Sequence, residues 1–193
     1  MSPLVWILGL VVIQRLLELM VAAHNTRRLL QHGGREVGRG HYPLFILLHG
    51  SWLLIIATTT PISVQPQWWL VGVFFVLQLL RVWVILTLGR YWTTRIITVD
   101  RAPLVRSGPF RVLRHPNYWV VVGEIAVLPL AFGNWPVAIV WSLLNGLLLR
   151  HRIRIETAAL SSRLPDGHGA AGPGEPTAVR GAAAAPPARP GSR

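Results

Sequence analysis

Three uninterrupted apolar runs, residues 4–23, 44–60 and 68–88, decide most of what this chain can fold into. Each has about the 17 to 25 residues a helix needs to cross a bilayer. Lipid admits a spanning backbone only when its N–H and C=O groups are paired internally, so the runs predict helices. Two shorter apolar stretches follow at 117–132 and 135–149. Gly133-Asn134-Trp135-Pro136 between them has turn chemistry, and the pair reads as a tight helical hairpin. The first run is too long for a cleaved signal peptide, and no small-x-small cleavage site follows it. The expected fold is all-α: a polytopic membrane protein of about five transmembrane helices ending in that hairpin.

The basic residues test the five-span reading. The formal net charge is +12, and all 19 basic residues are arginine. Arg27, Arg28, Arg35 and Arg39 fall in the loop at 24–43, and Arg90, Arg95, Arg101, Arg106, Arg111 and Arg114 in the loop at 89–116. The loop at 61–67 and the hairpin turn have none, and seven arginines follow span five. Positive charge thus alternates with every crossing, which predicts an N-terminus outside and the arginine-rich loops in the cytoplasm. Arginines that fall mostly between and after the spans point to topology rather than to nucleic acid. Only 13% of residues are charged and 52% are hydrophobic, unlike a soluble domain. With no cysteine, disulfides, thiolate nucleophiles and cysteine metal sites are excluded, and no metal is expected.

Ionisable residues inside the spans are costly and usually have a partner, a cavity or a function. Arg15 and Glu18 lie three apart and can pair on one helix face, as a structural ion pair or as substrate contacts. His49 reads as a packed, hydrogen-bonded histidine or as part of a pocket wall. Arg81, near one end of its run, can snorkel. Glu124 lies about two turns into the fourth span, where it either faces a cavity and contacts substrate or pairs with Arg81 or Arg15. Gly123 and Pro129 on the same segment allow close backbone approach and a kink. Beyond residue 160 the character changes: 20 of the last 33 residues are Ala, Gly or Pro, which predicts a disordered tail. Such composition is also what GC-rich codons read out of frame produce.

The densest polar motif is SGPFRVLRHPNYW at 107–119, at the mouth of the fourth apolar stretch. Ser107-Gly108-Pro109 predicts a turn, and Pro116 suits the first turn of a helix. Arg111, Arg114 and His115 then converge on a helix N-terminus, whose free N–H groups favour a carboxylate or phosphate. After the hairpin comes Arg150-His151-Arg152-Ile153-Arg154-Ile155-Glu156, in which Arg152 and Glu156 share a helix face. A tight hairpin brings both clusters to one rim, a cleft suited to a charged cofactor.

Leu104-Val105, Gly108-Pro109-Phe110-Arg111, Arg114-His115-Pro116-Asn117-Tyr118 and the pair Arg152 and Glu156 together resemble the isoprenylcysteine carboxyl methyltransferase family over residues 100–157. The resemblance implies a cytoplasmic pocket for S-adenosylmethionine formed by Leu104, Val105, Phe110, His115, Pro116, Asn117, Tyr118 and Glu156. It also implies that Arg152 holds the acidic end of the acceptor. Residues 1–99 would then be three N-terminal membrane helices, 100–160 the S-adenosylmethionine-binding core with its hairpin, and 161–193 the tail. A sulfonium cofactor carrying an ammonium and a carboxylate suits both signs of charge and an aromatic face.

Val120 and Thr157 depart from members acting on prenylated cysteine, which commonly have a small residue and a second glutamate there. QRLLEL at 14–19, HNTRR at 24–28 and GRGHYP at 38–43 are similar instead to a bacterial branch that O-methylates long-chain alkylpyrones and alkylresorcinols. The expected protein is therefore a bacterial inner-membrane O-methyltransferase with a lipophilic acceptor. Arg152, Glu156 and His115 are its candidate catalytic residues, and Arg152 and Glu124 its candidate substrate contacts. A resorcinol hydroxyl, with a pKa of about 10, would need a base, for which His115 and Glu156 are nearest. The segment R-x-x-x-H-P-N-Y also occurs in NADPH-dependent membrane sterol reductases, the rival enzyme class, and a non-enzymatic membrane scaffold is a third reading.

Overall fold

The computed structural model describes residues 2–99, 105, 107–113 and 115–161. Five helices stand where the apolar runs predicted them: α1 (Pro3–Gln31), α2 (Tyr42–Thr59), α3 (Trp68–Leu88), α4 (Pro116–Ala131) and α5 (Trp135–Ser161). Their limits follow local chemistry. Ser2 caps α1 by accepting from the Val5 N–H at 3.4 Å, with Pro3 at the first helical position. Pro116 opens α4 in the same way. Gly133, at φ 71°, turns α4 into α5.

α1, α2 and the segment Trp68–Tyr91 are long and apolar enough to cross a membrane. α4 is apolar but shorter, at 16 residues. α1 and α5 both overshoot their apolar runs, to Gln31 and Ser161, because the polar residues that follow continue the helix beyond hydrocarbon. Leu10, Phe75, Leu86, Leu143 and Leu147 remain exposed on the helix faces, as befits a surface solvated by lipid. The protein is an integral membrane protein.

The helices form an antiparallel set with one arginine-rich end and one uncharged end. At the uncharged end, Asn134 in the hairpin turn donates to Thr59 and Thr60 at the close of α2 (2.9 and 3.0 Å). The Gln67 N–H there donates to the Ala131 carbonyl at 2.7 Å. Leu4, Leu8 and Val11 pack with Trp52, Ile56, Phe74 and Leu128 into a solid core behind these ties. α3 and α4 lie closest together, at a place where a side chain is missing: a Cβ on Gly123 would meet Leu77 at 2.8 Å. This is the close approach expected of Gly123.

At the arginine-rich end the chain adds an element that the hydrophobic pattern did not foretell. β1 (Arg35–Val37) and β2 (Ile96–Thr98) pair antiparallel, with Arg35 opposite Thr98, Glu36 opposite Ile97 and Val37 opposite Ile96. Three-residue strands carry too short an alternation to be legible. The two strands join the loop after α1 to the loop after α3, and so bring residues 91–98 over the mouth of the bundle. Leu104, Arg106, Arg114 and the expected tail beyond residue 161 lie outside the described residues.

Candidate functional site

A short 3-10 turn, Gly108–Arg111, leads into α4. Gly108 has φ 54°, and a Cβ on it would meet Thr87 Oγ1 at 2.8 Å, so glycine is needed for both conformation and space. That contact seats the turn on α3. One turn into α4, the Tyr118 ring stacks on His115, with centroids 5.2 Å apart. Its hydroxyl donates to the Glu156 carboxylate, reached from α5. Arg152, one turn before Glu156, donates from Nε to the Tyr118 hydroxyl (3.0 Å) and from Nη1 to the Thr94 carbonyl (2.8 Å). Its guanidinium also lies over the Phe45 ring, 5.4 Å from the centroid. His115 Nδ1 is 3.9 Å from Glu156 Oε2. The two polar clusters read from the sequence thus meet in one constellation.

They enclose a cavity of about 190 Å³. Phe110, His115, Pro116, Asn117, Tyr118, Arg152 and Glu156 all line it. Val105 is half-buried and is not among the lining residues, and Leu104 lies outside the described residues. The anion site expected from three basic residues is reduced: Arg111 is exposed, Arg114 lies outside the described residues, and only His115 faces the cavity.

The opposite wall is the stretch from Tyr91 to Thr98, of which the sequence marks only Arg95, as a topology signal. Asn25 holds this stretch by donating to the Gly89 and Trp92 carbonyls (3.1 and 2.8 Å). Arg95 is held by Glu36 at 3.2 Å and lies over the Tyr42 ring at 4.7 Å. A Tyr-Trp pair in a loop was the available signal, because Asn25 stands just past the first apolar run in the polar stretch that continues α1. The cavity therefore offers a cation at Arg95, a carboxylate at Glu156 and several aromatic faces. Asn117 Oδ1 is buried there without a hydrogen-bond partner. Such a donor set fits a zwitterionic sulfonium nucleoside.

A second cavity of about 290 Å³ lies deeper between the helices. Trp92, Thr93, Asn117, Tyr118 and Arg152 line both cavities, so the two share a wall. Most of the second lining is apolar, from Val12, Leu16 and Leu19 of α1, Phe45, Ile46 and Leu53 of α2, and Val121 and Leu149. Leu16 and Ile46 are exposed on the outer faces of α1 and α2, where the cavity reaches the lipid-facing surface.

Its buried end is charged. Arg15 pairs with Glu18 (2.7 Å) and Glu124 (2.8 Å), and Arg81 pairs with the same two carboxylates (2.7 and 2.8 Å). Gln14 and Gln78 complete the carboxylates' partners: Gln14 donates to Glu18 at 2.9 Å and Gln78 to Glu124 at 2.8 Å. Two cations and two anions close a neutral ring across α1, α3 and α4. Each charge is matched, as hydrocarbon surroundings demand.

Of the two readings open for Glu124, pairing is the one observed. The residue is 1% exposed, its carboxylate is occupied by Arg15, Arg81 and Gln78, and it is absent from the cavity lining. Arg81 does not snorkel: it is 7% exposed and turned inwards, because two carboxylates hold it more strongly than the interface would. Arg15 and Glu18 pair and also line the cavity, as does His49.

A helical integral membrane protein with a polar chamber at its rim, joined to an apolar chamber within the bundle, is the class that fold and site define. More narrowly, the chain belongs to the isoprenylcysteine carboxyl methyltransferase (ICMT) family, whose sequence profile matches residues 70–162. YpbQ of Bacillus subtilis (strain 168) is 36% identical over 160 residues, covering 80% of this chain and 95% of that one. A protein of Haemophilus influenzae (strain ATCC 51907 / DSM 11121 / KW20 / Rd) is 26% identical over 157 residues, covering 78% of this chain and 91% of its own length. Both relatives are named as uncharacterized proteins. No solved structure matches. The family is one of S-adenosylmethionine-dependent methyltransferases of membranes, so the polar chamber lies in a methyltransferase.

Proposed function

We propose that the protein is an O-methyltransferase whose acceptor is a lipophilic, acidic small molecule of the long-chain alkylpyrone or alkylresorcinol kind. The observation that carries this reading is the wall shared by the two cavities, with Tyr118, Asn117 and Arg152 facing both a polar chamber and an apolar one. A donor soluble in water and an acceptor soluble in lipid can meet only at such a wall.

When bound, S-adenosylmethionine supplies an electrophilic methyl group. The rest is the work of this chain. Arg95, Asn117 and Glu156 hold the polar ends of the cofactor, and Phe110, His115 and Tyr118 enclose it. Arg152, fixed by the Thr94 carbonyl, the Tyr118 hydroxyl and the Phe45 ring, orients the acceptor oxygen and favours its anion. An acidic hydroxypyrone arrives already ionised. A resorcinol hydroxyl gives its proton to His115 or Glu156, the pair that borders Tyr118. Holding the reacting atoms in line and away from water supplies most of the acceleration.

The acceptor comes laterally from the bilayer past Leu16 and Ile46, its head group stopping at Arg152. On this reading the rim faces the cytoplasm and the N-terminus lies outside, in a bacterial inner membrane, an orientation supported by the alternation of arginine-rich and arginine-free loops. Calorimetry on detergent-purified protein tests the donor: S-adenosylhomocysteine should bind and NADPH should not, and the reverse result would make the protein a reductase. Mass spectrometry of lipid extracts from cells with and without the gene should reveal one lipid heavier by a methylene unit, and no such lipid would refute the acceptor assignment.

A further inference from the structure

The apolar cavity ends in polar groups that a hydrocarbon chain cannot satisfy. His49 Nδ1 donates to the Phe45 carbonyl at 2.8 Å, which leaves Nε2 of the neutral ring as an acceptor. No hydrogen bond to Nε2 occurs among the described residues. Arg15 spends Nη1 on Glu18 and Nη2 on Glu124, while its Nε is buried and has no partner. Both side chains line the cavity, with Gly50 between α2 and the open space, and nothing lies within 4 Å of where a Gly50 Cβ would stand. A free acceptor on His49 and a buried, unpaired donor on Arg15 therefore belong to two side chains that line one chamber.

We infer that His49 and Arg15 form a second polar subsite, which binds a neutral hydroxyl or carbonyl oxygen of the acceptor. This rests on the reading of the apolar cavity as the acceptor chamber. A hydroxyl meets both needs at once, donating to His49 Nε2 and accepting from Arg15 Nε. A methylene in the same place would leave both groups desolvated and unpaired. The guest is neutral because the ring of Arg15, Glu18, Arg81 and Glu124 is balanced and calls for no further charge.

Two polar anchors narrow the class further. Arg152 lies over the Phe45 ring, and His49 is one turn beyond Phe45 on α2, about 6 Å along the axis. An acceptor that fills both subsites carries two oxygen functions, one at Arg152 and one at His49. Its hydrocarbon tail leaves sideways past Leu16 and Ile46. A carboxylate followed directly by plain hydrocarbon satisfies only the first subsite.

The test uses two probes that differ by one hydroxyl, 5-pentadecylresorcinol and 3-pentadecylphenol. Their affinities for the full chain in detergent are read from the shift in melting temperature with ligand concentration. The resorcinol should bind roughly tenfold more tightly or better. That advantage should shrink to about threefold or less in His49→Phe and return in His49→Gln, whose amide oxygen restores an acceptor. His49→Leu replaces His49→Phe if the latter does not fold. Equal affinities for the wild-type protein, including no binding of either probe, would overturn the subsite, as would an undiminished preference in the apolar variants. A parallel titration with S-adenosylhomocysteine keeps the two readings apart, since its failure to bind would remove the methyltransferase and leave the preference standing.

Discussion

Arg152 is the residue on which the proposed chemistry turns, and its surroundings explain why arginine stands there. One planar group reaches a carbonyl, a hydroxyl and an aromatic face at once, which a lysine ammonium cannot do. Arg152→Ala should abolish methyl transfer while S-adenosylhomocysteine still binds, because Arg95, Asn117 and the aromatic wall remain. Retained turnover in a radiolabelled methyl-transfer assay would contradict the role assigned. Tyr118 links the two functional groups of α5, donating to Glu156 and accepting from Arg152. Tyr118→Phe keeps the stack on His115 but cuts that link. It should lower kcat/KM by roughly 10- to 100-fold with a smaller effect on cofactor affinity.

At the scale of the element, the buried ring does for α1, α3 and α4 what apolar packing does at the other end of the bundle. Removing one member leaves a charge uncompensated in hydrocarbon surroundings, a loss of about 3–5 kcal/mol. Glu124→Ala should therefore depress the melting temperature in detergent more than the double variant Glu124→Leu with Arg81→Met, which removes one charge of each sign. Equal losses would mean that the ring is not coupled. The turn at Gly108–Arg111 is a second element held from outside itself, seated on Thr87 and Trp83 through the absent Cβ of Gly108. Gly108→Ala must displace the turn and carry Phe110 out of the polar chamber. Calorimetry should show S-adenosylhomocysteine binding weakened by about tenfold, with little change in melting temperature.

The whole molecule must place its two chambers against water and lipid in the right order, and the arginine distribution is the basis of the orientation proposed for it. The chain has no cysteine, so single-cysteine variants report topology without background. Ser63, exposed in the loop between α2 and α3, and Ser107, exposed beside the polar chamber, lie at opposite ends of the bundle. In intact cells a membrane-impermeant maleimide should label Ser63→Cys but reach Ser107→Cys only after permeabilisation. The opposite pattern would invert the proposed orientation.

Sequence by itself determined the helices, because apolar length, Pro116 at a helix start and Gly133 at a turn act within a few residues of where they stand. It likewise exposed one wall of the polar chamber, since His115, Tyr118, Arg152 and Glu156 carry their chemistry in residue type and short-range spacing. Only the tertiary structure decided what those residues face. The Tyr91–Thr98 wall depends on β1 pairing with β2 across some sixty residues of chain, and on Asn25 of α1 reaching the Trp92 carbonyl. The neutral ring joins Arg15 and Glu18 to Arg81 and Glu124 from three helices, a match of charges that no local pattern encodes. Backbone propensity and hydrophobic length are local quantities, whereas electrostatic neutralisation inside a bilayer is settled by whichever distant partner the packing brings within 3 Å.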